Sequence, residues 1–160
     1  MDFEKLDSYV TDTVSEAERF DRKKIIITGG TEGIGREITE EFLLNDNAVA
    51  ICARSQDKLD AMKHAHNDAS TFIAERIDLG ERQTVKQFAE EVISDLGGLD
   101  TLILNAAAFD FQFKSSGLSE DEVNKKVFQV NEVANVTLIT HLTHPSPATV
   151  SILQNSPEAL

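Results

Sequence analysis

The chain has 160 residues, 41% hydrophobic and 27% charged, a composition that supports one folded domain with a sizeable core and excludes an intrinsically disordered chain. Fifteen basic residues (Lys plus Arg) against 28 acidic ones leave a formal charge of −13, which repels nucleic acid and anionic lipid, so an anionic ligand must be held by local geometry. With one cysteine, Cys52, no apolar run near the ~18 residues of a membrane span and no basic stretch leading into an apolar one, the reading is a cytoplasmic chain without a membrane or nucleic-acid partner.

Residues 1–22 read as a helical extension, because Phe3, Leu6, Val10, Val14, Ala17 and Phe20 recur three or four apart among acids. Ile25-Ile26-Ile27 is short and β-branched throughout, as a strand covered on both faces should be. Glycines follow, then a helix with Ile34, Ile38 and Phe42 on one face. Ala48 to Ala53 predicts a second strand, and Ser55 can cap a helix turning Leu59 and Met62 inward. Phe72 to Ile77 is a weaker third strand, interrupted by Glu75 and Arg76. From Thr84, the stripe Val85, Phe88, Val92, Ile93 and Leu96 is helical, and Gly97-Gly98 stops it. Thr101 to Leu104 predicts the fourth strand. Ser119 and Glu122 form a capping box that starts a helix, read as continuous through Val130 and Leu142 until Pro145 and Pro147. Ala148 to Leu153 predicts the last strand. The alternation argues for βαβ units around a parallel sheet, in one domain over residues 23–160.

The most informative stretch is Thr28-Gly29-Gly30-Thr31-Glu32-Gly33-Ile34-Gly35, a glycine-rich turn between the first strand and its helix. Glycines let the backbone turn sharply and let a phosphate group approach where a Cβ would obstruct. The helix that follows opens with unpaired N–H groups and a partial positive charge, which suit a pyrophosphate. No Lys-Ser or Lys-Thr pair follows the glycines, so this is not a P-loop.

These residues resemble the short-chain dehydrogenases/reductases, whose motif TGxxxGIG is matched in full by Thr28 to Gly35. Asp78, the segment Leu99 to Ala107 around Asn105 and Ala106, and the pair Val130-Asn131 resemble further landmarks of that family in the same order, with Leu104 and Ala107 as departures. The resemblance implies a Rossmann-type α/β fold, a doubly wound parallel sheet of about five strands in order 3-2-1-4-5 with helices on both faces. It implies a nicotinamide dinucleotide held by Thr28, Gly29, Thr31, Gly33, Ile34, Gly35, Arg54, Asp78, Asn105 and Ala106. At the end of the second strand stands Cys52-Ala53-Arg54-Ser55, with no acid for a ribose 2′-OH and a cation for a 2′-phosphate. NADP(H) is favoured over NAD(H) on that ground, although Glu32 inside the glycine loop argues the other way.

The family transfers hydride between nicotinamide and an alcohol or carbonyl, using a Tyr whose pKa a Lys four residues later lowers, with a Ser and an Asn. Here the Asn falls on Asn131, and Ser156 is the best match for the Ser, though Asn155 can take the slot. The single tyrosine, Tyr9, precedes the glycine loop and has Thr13 four residues on. The chain therefore resembles the cofactor-binding portion of a family member, ending before Tyr-x-x-x-Lys and inactive alone, with its fifth strand an unprotected edge prone to self-association. The alternative is a non-catalytic dinucleotide-binding or interaction module; a Rossmann-like methyltransferase suits the glycine loop and downstream asparagines less well. His64, His66, His141 and His144 lack acid or Cys partners at ligand spacing and read as surface groups, with no metal site. The glycosylation sequon at Asn135 falls within a helix and reads as silent, and Cys52 reads as a small buried hydrophobe.

Overall fold

The computed structural model describes residues 22–69, 71–113, 115–142 and 151–154. Strands and helices alternate as β1 (Lys24–Thr28), α1 (Gly33–Leu44), β2 (Ala48–Ala53), α2 (Gln56–Ala65), β3 (Phe72–Arg76), α3 (Arg82–Leu96), β4 (Thr101–Leu104), α4 (Glu120–Phe128), α5 (Ala134–Leu142) and β5 (Ser151–Gln154). A 3-10 turn at Asp110–Phe113 follows β4, and a π-helical turn at Gln129–Val133 joins α4 to α5. The strands form one sheet in the expected order, β3-β2-β1-β4-β5, with every pair parallel. The helix expected over residues 1–20, His144, Pro145, Pro147 and Ser156 lie outside the described residues.

The isoleucine run explains why β1 is central. Ile26 points into a core formed with Val85, Phe88 and Val92 of α3 and Leu138 and Leu142 of α5. Ile25 and Ile27 point to the opposite face, where they pack with Leu43 of α1 and Leu59 of α2. A strand with helices on both sides has no polar face, so period-two alternation disappears and an unbroken apolar run replaces it.

Two expectations change at the helices. Ile34 is 66% exposed, whereas the buried line of α1 is Gly35, Thr39 and Leu43. Gly35 must face inward because the chain passes close to Gly29 and Asn105 there, and that sets the rotation of the whole helix. The helix expected to run unbroken through Leu142 is interrupted by the π-helical turn. Such turns form where a group competes for a helical carbonyl, and here the Asn135 side chain donates to the Asn131 carbonyl oxygen at 2.7 Å. Other signals hold. Ser119 and Glu122 make the reciprocal capping box, the Ser55 hydroxyl accepts from the Lys58 amide, and α3 ends at Gly97 in the left-handed region with φ 68°.

Candidate functional site

Sheet order reverses between β1 and β4, and in open parallel sheets that reversal opens a crevice at the carboxyl ends of the strands. A cleft of about 450 Å³ lies there, within the range of small-molecule sites. The glycine loop forms one wall, the β2–α2 turn and Asp78 another, and the segment after β4 a third.

The loop glycines do three different jobs. Gly35 has no room for a side chain, since a Cβ would stand 2.2 Å from the Gly29 carbonyl oxygen and 2.4 Å from Asn105 Nδ2. Gly30 is pressed against Ile51 and Thr39. Gly33 differs, for its φ of 54° favours glycine while a Cβ there would meet nothing within 4 Å. Open space beside a left-handed glycine at a helix start is what the approach of a ligand requires. The amides of Gly33, Ile34 and Gly35 open α1 and find no acceptor among the described residues. Glu32 occupies the N-cap, yet its carboxylate makes no capping bond.

The opposite wall is tied to the loop by side chains. Asn105 Nδ2 donates to the carbonyl oxygens of Thr28 and Gly29, each at 3.2 Å. The Thr28 hydroxyl, fully buried, accepts from the Ala106 amide at 3.0 Å. Asn131 reaches back from the π-helical turn: its Oδ1 accepts from the Ala108 amide at 2.8 Å and its Nδ2 donates to the Ala108 oxygen at 2.9 Å. Both ends of the Asn131 amide are thus engaged by the Ala108 backbone, which ties the π-helical turn to the segment after β4.

Charge gathers at the wall made by the β2–α2 turn and Asp78. Arg54 is exposed, and its carbonyl oxygen accepts from Arg76 Nε. Lys58 pairs with Glu32 across 26 residues of sequence. Asp78 accepts from the Gly80 amide at 2.9 Å, which fixes its carboxylate at the cleft edge. Cys52 is buried, and burial pushes its thiol up to about 12, so it lines the cleft as a neutral group.

Of the residues singled out from sequence, Gly29, Thr31, Arg54, Asp78, Asn105 and Ala106 line the cleft. Thr28, Gly35 and Asn131 brace it from behind, and Gly33 and Ile34 open the helix beside it. Lys58, Phe109 and Gln112 line it too and carry no sequence signal of their own; only the Glu32-to-Lys58 charge complementarity hints at one of them. His66 is largely buried and packs its ring edge-on against Phe72 at 5.9 Å, which corrects its reading as a surface group. No group of metal-ligating side chains occurs among the described residues, and none of their helices is long and apolar enough to cross a membrane.

The architecture is that of a doubly wound α/β domain with an anion-ready helix start at its switch point. A family model described as short chain dehydrogenase matches residues 23–146, and the chain belongs to that family. It is 29% identical over 124 residues to an uncharacterised oxidoreductase of Mycobacterium tuberculosis, a match covering 74% of this chain and 47% of the relative. It is 30% identical over 135 residues to a glucose and ribitol dehydrogenase of Daucus carota, covering 78% and 45% respectively. The chain therefore spans about half the length of the curated relatives it matches. The crystal structure of a short chain dehydrogenase from Burkholderia cenocepacia in complex with NADP shares the fold, with a TM-score of 0.72 at 23% identity over 85% of this chain and 56% of that one.

Proposed function

We propose that the cleft binds a nicotinamide dinucleotide, NADP(H) in preference to NAD(H), through a domain spanning residues 23–160. The observation that carries this reading is Gly33: left-handed, with open space where a Cβ would stand, and leading into helix-start amides that have no acceptor among the described residues. A pyrophosphate satisfies such amides and the helix dipole together, which a chain of charge −13 cannot do through its overall field. The amides of Gly29 to Gly35 and the Thr31 hydroxyl would hold the phosphates, Asp78 would take the adenine, and Asn105 and Ala106 would face the cofactor across the cleft. Arg54 would meet a 2′-phosphate, and the end of β2 offers no acid for a ribose 2′-OH.

Bound nicotinamide supplies hydride exchange with an alcohol or carbonyl carbon. This chain's contribution is to bind and orient it, with Asn131 holding the wall beside it in place. Within these 160 residues no tyrosine has a lysine four positions on, so the phenolic acid–base step has no owner here. Titrating the purified chain with NADPH and NADH by fluorescence tests the proposal. Saturable binding, tighter for NADPH, with no turnover of a carbonyl panel is the expected outcome; failure to bind either coenzyme overturns it.

A further inference from the structure

The pairing of Glu32 with Lys58 suggests a device beyond simple coenzyme binding. Glu32 sits at the N-cap of α1 in extended backbone and makes no capping bond to its own helix. Its carboxylate instead reaches the ammonium group of Lys58 in the first turn of α2. Both side chains line the cleft beside Arg54 and Ser55, and both stay in solvent, at 71% and 48% exposure. The mouth of the cleft thus holds two cations, one of them already engaged by an acid. Resting on the dinucleotide reading, we infer that Lys58 is a second cation for a 2′-phosphate and that Glu32 competes with that phosphate for it.

The energetics fit an exchange of partners. A solvated ion pair is weak and easily traded, while a phosphate dianion between a guanidinium and an ammonium gains charge-assisted hydrogen bonds. Docking the phosphate releases Glu32, whose carboxylate is then left close to a like charge. A ribose 2′-OH carries no charge and leaves the pair intact. The Glu32–Lys58 pair therefore caps the preference that Arg54 creates, and the chain accepts both coenzymes more evenly than its basic β2–α2 turn implies.

The test measures NADPH and NADH dissociation constants for the wild-type chain, Glu32→Gln, Lys58→Met and the double variant, with thermal melts as a check on folding. Removing the acid should tighten NADPH by roughly threefold to tenfold and leave NADH within about twofold. Lys58→Met should weaken NADPH selectively, and by a larger factor in the E32Q background. The inference falls if both coenzymes bind but the NADPH-to-NADH ratio is the same in every variant, or if Lys58→Met weakens the two equally. Absence of binding by the wild-type chain would instead sink the dinucleotide reading itself.

Discussion

The side-chain amide of Asn131 grips both backbone groups of Ala108, accepting from its N–H at 2.8 Å and donating to its carbonyl at 2.9 Å. The two residues lie 23 apart in sequence, and the contact fastens the segment after β4 to the π-helical turn. It is a backbone-style pairing made by a side chain, and it fixes the wall of the cleft that carries Ala106, Ala107 and Ala108.

Asn131→Ala should leave two part-buried backbone groups without partners and cost about 1–3 kcal/mol in urea denaturation. NADPH affinity should fall as well, because the wall loosens. A variant as stable as the parent would show that the pairing contributes nothing.

The glycine loop supports a contrast between two alanine substitutions. Gly35→Ala drives a Cβ to 2.2 Å from a carbonyl oxygen and should unfold the chain or shift its melting point sharply. Gly33→Ala meets open space and pays only for its left-handed φ of 54°, roughly 1–2 kcal/mol. It should fold, by circular dichroism, yet bind NADPH poorly because its methyl group occupies the ligand's approach.

Cys52 is held neutral by burial, its pKa raised to about 12. A raised thiol pKa contributes stability that is complete below the unfolded thiol's value of about 8.5 and is lost as pH climbs from there toward the folded value. In native conditions near pH 8, iodoacetamide should label Cys52 on the order of a thousandfold more slowly than in the urea-unfolded chain. Equal labelling rates would place the thiol in solvent.

The Ser119 hydroxyl and amide both donate to Glu122, at 2.7 and 2.8 Å, and hold its carboxyl below the usual range. A depressed pKa stabilises the folded form above the unfolded value of about 4.3, and that stabilisation disappears as pH falls through the folded value. Amide protection in the first turn of α4, with the intrinsic pH dependence of exchange divided out, should fall across this acid window in the parent chain. Glu122→Gln should remove that pH-dependent fall in protection while leaving protection elsewhere unchanged.

Much of the architecture was legible in the sequence because local forces dictate it. Ile25-Ile26-Ile27 could only be a strand covered on both faces, Ser119 with Glu122 could only begin a helix, and Gly97-Gly98 could only end one. Thr28 to Gly35 marked the anion-ready turn for the same reason, since backbone that must turn and admit a ligand excludes side chains there. Tertiary contacts decided the rest. Close packing at Gly35 rotates α1 and leaves Ile34 in solvent, against its helical stripe. Asn135 captures the Asn131 carbonyl and opens the π-helical turn inside a segment whose periodicity reads as one helix. Lys58 joins the cleft through Glu32, from 26 residues away, where no periodicity or motif connects them. Patterns of three or four residues report what each element does with its own backbone; which distant polar groups meet depends on how the elements dock, and that is set only when the whole sheet assembles.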